Sequence, residues 1–105
     1  MKTISDQRRT YLAPHLQSFL EGSLGKKGSV TVILFAQKKD TYGALIPDCK
    51  VATLCLGLLS DMSVVATEIL AFAEQHWTVY DSPGFTLQVQ GQTELSFSLQ
   101  ENEPS

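Results

Sequence analysis

Two short arms near the C-terminus constrain the fold more than any other feature of the chain. Phe85, Leu87 and Val89 alternate with Thr86, Gln88 and Gln90. After Gly91-Gln92 the alternation resumes, with Leu95, Phe97 and Leu99 against Glu94, Ser96 and Ser98. Successive side chains of a strand point to opposite faces, so period two on both arms predicts an antiparallel hairpin with one packed and one wet face. The packed face has to be covered by the rest of the 105-residue chain.

The covering elements are legible as helices. Leu12, Leu16 and Leu20 repeat at i, i+4, i+8, with Tyr11, His15 and Phe19 beside them, and predict a helix over residues 10–21. Pro14 favours a first turn, so the helix either begins near Ala13 or runs longer and bends there. A second helix, capped by Asp61 or Ser63, shows Met62, Val65, Ile69, Phe72 and His76 on one face. Trp77-Thr78-Val79-Tyr80 is expected to leave it in extended form, ahead of a type II turn over Asp81-Ser82-Pro83-Gly84.

Between the helices, Ser29–Gln37 is β-branched and apolar at nearly every position, as in a central strand. Lys38-Lys39-Asp40 then reads as a hairpin turn into a strand over Thr41–Ile46. Residues 47–60 fit two patterns. Val51, Leu54, Cys55, Leu58 and Leu59 make either a helical face or a buried strand, and strand is the preferred reading because a helix here would meet the next one with almost no loop. The expected architecture is a single α+β domain over residues 1–100, with an antiparallel sheet of four to five strands and two helices packed on one face. Residues 101–105 form an acidic tail.

All eight basic residues lie in the first fifty positions, together with four acids; the remaining fifty-five positions hold seven acids and no base. The halves therefore carry a formal +4 and −7, and the net charge is −3. Opposed fields of this kind steer encounters and favour self-association. A net acidic chain is a poor general binder of nucleic acid, although a local basic face still suits phosphate. Cys49 and Cys55 have neither redox-pair nor zinc-knuckle spacing. They read as small hydrophobes in a reducing, cytoplasmic protein. The longest uncharged apolar run, Val51 to Ser60, is too short for a membrane helix, and the first nine residues lack a signal peptide's apolar core.

Six basic residues fall as adjacent pairs, and Arg8, Arg9, Lys26, Lys27, Lys38 and Lys39 are the candidate residues for gripping a partner or an anion. The bland alternative is that they solvate turns and guard a sheet edge. Gly22–Gly28 is glycine-rich and basic, but its order of helix before and strand after is the reverse of a P-loop. Trp77 and Tyr80 are candidate interface aromatics, against the simpler view that Trp77 closes the core. His15 and His76 have no ligand spacing with the cysteines, and the acids are scattered, so no catalytic residues, metal or cofactor are expected.

The reading is a small interaction module (regulator, inhibitor or adaptor) that binds another protein as a homodimer, without catalysis. Nucleic-acid or nucleotide-ligand binding through the basic half is the alternative. The helix–strands–helix–strands order is similar to that of small acidic secretion chaperones, an analogy of order alone that lacks their final helix.

Overall fold

The computed structural model describes residues 3–24, 28–80, 82–89 and 93–100. The elements run α1 (Asp6–Leu24), β1 (Ser29–Lys39), β2 (Leu45–Gly57), α2 (Met62–Tyr80), β3 (Gly84–Val89) and β4 (Thr93–Ser98). The four strands form one antiparallel sheet in the order β2-β1-β3-β4, and the α+β expectation holds.

Register explains the layering. Val32, Leu34 and Ala36 of β1 stand opposite Val89, Leu87 and Phe85 of β3, and Phe85 opposite Phe97 of β4. All seven are buried. They meet Leu12, Leu16, Leu20 and Leu24 of α1 and Met62, Val65, Ala66, Ile69, Leu70 and Ala73 of α2 in a single cluster, so both helices cover the same face. Burying each large side chain of this kind contributes about 1.5–3 kcal/mol before entropy is counted. The other face carries Thr31, Ile33, Phe35 and Gln37 of β1, half-buried by neighbours on the sheet itself.

The first helix is longer at both ends than its apolar repeat implied. Ser5 caps it, its hydroxyl accepting from the Arg8 amide at 3.1 Å and its carbonyl from the Arg9 amide at 2.9 Å. Pro14 sits inside the helix on its exposed side, where water can serve the carbonyl of Thr10 that loses its amide partner. At α2, Asp61 is the cap. Its carboxylate accepts from the Ser63 amide at 3.0 Å and hydroxyl at 2.7 Å, and those bonds hold its pKa below the usual carboxylate range.

Local expectations change at the end of α2 and at the β1–β2 turn. Residues 77–80 stay helical, because Trp77 packs on the core and the His76 and Tyr80 rings stack at 4.5 Å across the last turn. The β1–β2 turn comes later than Lys38–Asp40. Asp40 organises it by accepting from the Tyr42 and Ala44 amides at 2.8 and 2.9 Å, and Gly43 takes φ 86°. Residues 47–57 are strand, the preferred reading, and belong to one long β2. Register shifts opposite Leu34/Phe35 and Ala36/Gln37 leave Val51 and Asp48 as extra residues, and Pro47 lies beside the second. Bulges and proline are how an edge strand discourages unwanted pairing.

Gly84 is not the left-handed residue of a type II turn; it is the first residue of β3. A Cβ there would lie 2.6 Å from Oε1 at the far end of the Gln37 side chain, which would have to move. The Gln37 amide donates to the buried Thr86 hydroxyl at 2.7 Å, and Thr86 in turn meets the Ser96 hydroxyl at 3.3 Å. Gly84→Ala is expected to displace that amide and cost about 1 kcal/mol, the worth of one hydrogen bond. In a Gln37→Ala background the same change should be nearly neutral. Denaturant midpoints of the two single variants and the double variant check this, and equal costs in both backgrounds would contradict it.

Candidate functional site

The β1–β2 hairpin is longer than the rest of the sheet. β1 pairs with β3 only from Val32 to Ala36, so Gln37–Lys39 and the start of β2 overhang the beginning of β3 as an arm. The Ser82 hydroxyl donates to the Gln37 carbonyl at 2.9 Å and closes the inner corner. On the opposite side, Arg8 in the first turn of α1 reaches the end of β4, where its Nε donates to the Ser98 carbonyl at 2.9 Å. The space between is a groove of about 850 Å³.

Three of the candidate basic residues, Arg8, Lys38 and Lys39, line this groove. Gln37, Ser82, Ser96 and Ser98 provide its polar surface, and Leu45, Pro83 and Phe97 its apolar surface; none of the lining residues described is acidic. The Arg8 guanidinium is fixed a second time by lying 5.1 Å over the Tyr11 ring. Lys38 reaches outward to Asp48 at 3.1 Å.

The adjacent residue of the first pair is directed elsewhere. Arg9 lies 3.5 Å from Glu74, which also accepts from the Ile4 amide at 2.6 Å, so it ties α1 to α2. Lys26 and Lys27 lie outside the described residues. The first basic pair is thus divided between two surfaces. One member of the first and both members of the third share a groove.

Trp77 is half-buried against the core, as its structural reading required, whereas Tyr80 is 68% exposed. Cys49 and Cys55 are both exposed on β2, which corrects the apolar surroundings inferred for them. The Cys49 thiol donates to the Lys50 carbonyl, and an His15 ring nitrogen meets the Tyr11 carbonyl at 2.8 Å. His76 lies between Tyr80 and the edge of Phe85, and this burial lowers its pKa from the ordinary imidazole value. Among the described residues no group of three or more His, Cys, Asp or Glu is placed to hold a metal, and no helix is long and apolar enough to cross a membrane.

A second surface went unread in the sequence. Phe72, expected on the packed face of α2, is 40% exposed. The stripe that is packed runs Met62, Val65, Ala66, Ile69, Leu70, Ala73, and Phe72 falls off its flank. Val64, Phe72, Val79 and Tyr80 of α2, with Leu58 and Leu59 just before it, make up six of the ten exposed large hydrophobics described. Leu59 is fully exposed. The signal available beforehand was the composition of α2, which contains no basic residue and leaves too many apolar positions for one stripe.

Comparison of the chain with protein families, curated proteins and solved structures returns no match.

Proposed function

We propose that the protein is a non-catalytic interaction module that acts as a homodimer and binds another macromolecule. The observation that carries this reading is the outward face of α2. At 3.6 residues per turn, Val64, Glu68, Ala71, Phe72, Gln75 and Val79 share one side of the helix. Four of the six are apolar, and the only charge is Glu68. Exposed apolar side chains gathered on one helix face in this way favour association.

The same face is self-complementary. The midpoint of α2 is Ala71, so a second copy laid antiparallel across a two-fold axis between Ala71 and Phe72 brings Ala71 against Phe72. It brings Val64 against Val79 and Glu68 against Gln75, so no like charges meet. The small Ala71 lets the helices approach closely at the axis, and Leu58 and Leu59 of one copy flank the end of α2 of the other. Asp40, Asp61 and Glu74 are engaged in a turn, a cap and a helix tie, which suits a role without catalysis. The exposed free cysteines suit a reducing compartment such as the cytoplasm.

Cross-linking tests the arrangement. In a background of Cys49→Ser and Cys55→Ser, mixed and re-equilibrated Val64→Cys and Val79→Cys chains should form a disulfide-linked pair on mild oxidation. Val79→Cys alone should form none, because the antiparallel arrangement holds the two 79 positions far apart. Efficient cross-linking of Val79→Cys to itself would contradict the geometry.

A further inference from the structure

We propose that the groove beneath the β1–β2 arm is a binding site for a small phosphate-bearing anion, at a place separate from the α2 face. Its volume of about 850 Å³ falls within the range of small-molecule sites, and its lining mixes apolar surface with a few convergent polar groups, as such sites do. The charge is local. A chain of net charge −3 places three of its eight basic residues around one opening that has no acidic lining residue among those described.

The cations are differently prepared. Arg8 is held by the Ser98 carbonyl and by Tyr11, and its two terminal nitrogens, with no bond shown among the described residues, present a preset fork to phosphate oxygens. Lys39 makes no ion pair among the described residues. Lys38 is shared with Asp48 in a half-exposed pair, the kind that solvent weakens and a bound anion displaces. The hydroxyls of Ser82, Ser96 and Ser98 are already engaged with Gln37, Thr86 and Gln100, so the floor is neutral and the hold on the ligand is ionic. A fork on one wall and point charges on the other fit the several oxygens of a phosphate; a lone carboxylate would use the fork alone. Leu45 and Pro83 leave an apolar shelf for the organic part of the ligand.

The probe is pyrophosphate, titrated by calorimetry and by amide chemical shifts into the intact protein at low salt, with inorganic phosphate, citrate and a hexaglutamate peptide for comparison. Pyrophosphate is expected to bind and to move resonances of Lys38, Lys39 and Ser98. Lys39→Ala should weaken it about tenfold, the equivalent of one lost charged contact. Arg8→Lys, which keeps the charge and loses the fork, should weaken it by a similar factor. Unchanged affinity in Lys39→Ala, shifts located away from the groove, or citrate or hexaglutamate binding as tightly as pyrophosphate would each overturn the proposal. Dimerisation should be the same in all these variants, so failure here is distinguishable from failure of the α2 interface.

Discussion

Phe72→Glu is expected to convert the proposed dimer into a monomer that remains folded. In the antiparallel arrangement Phe72 lies beside the two-fold axis, so one substitution enters the interface twice and sets two carboxylates close together in apolar surroundings. Each carboxylate would lose hydration with no cation to replace it, because α2 contains no basic residue. The side chain is already 40% exposed in the single chain, so the change should cost the monomer's fold little. Light scattering and far-ultraviolet circular dichroism on the same sample separate the two effects. Retained dimer mass in Phe72→Glu would remove α2 from the interface. Gln75→Ala, on the same face but apolar in direction, should leave the dimer intact.

Phe85→Ala has the largest expected effect on the fold itself. Phe85 is fully buried, stacked 5.8 Å from Phe97 and 6.0 Å from the edge of His76, where β1, β3, β4 and α2 converge. Removing a ring from such a position costs about 3–5 kcal/mol, a large part of the ~5–15 kcal/mol that holds a domain together. Denaturant unfolding measures the loss; a cost within about 0.5 kcal/mol would contradict the packing described, since surface substitutions fall in that range.

The same ring shapes the pH dependence. His76 has a lowered pKa in the fold because burial disfavours its charged form. The unfolded chain therefore takes up that proton more readily. The His76 contribution is fully present above about pH 6.5 and is lost as pH falls through the lower folded value. Phe85→Leu, which retains an apolar filler but opens space at the ring edge, should bring the His76 titration seen by NMR back towards the ordinary range. An unmoved titration would show that Phe85 does not set its environment.

What the sequence revealed, and what it hid, follows from the reach of each signal. The β3–β4 hairpin was plain because its alternation is unbroken and its register needs no distant partner. β2 was ambiguous for a physical reason. The bulges at Asp48 and Val51 interrupt the period of two, and the resulting spacing of Val51, Leu54, Cys55 and Leu58 imitates a helix. The end of α2 carries residues that suit a strand. It is helical because Trp77 docks on the core and His76 stacks on Tyr80, and neither contact is visible in local propensity.

The candidate site was half legible. The basic residues were identifiable by type, but adjacency in sequence is not adjacency in space. Arg8 and Arg9 stand one helical step apart, so one reaches the end of β4 and the other Glu74 on α2. Lys38 and Lys39 join Arg8 only because β1 overhangs β3, a consequence of strand lengths that becomes fixed when the register is known. The exposed face of α2 was hidden by a near miss in spacing. Phe72 stands three residues from Ile69, close enough to the packed stripe to be counted with it.

The most direct test of the homodimer is the mass of the unmodified protein in solution, by sedimentation equilibrium or native mass spectrometry over a wide concentration range. A species of twice the 11.5 kDa chain mass, persisting on dilution to low micromolar concentration, is the predicted result. A single 11.5 kDa species at high micromolar concentration would contradict it and leave the apolar face of α2 without the partner assigned to it.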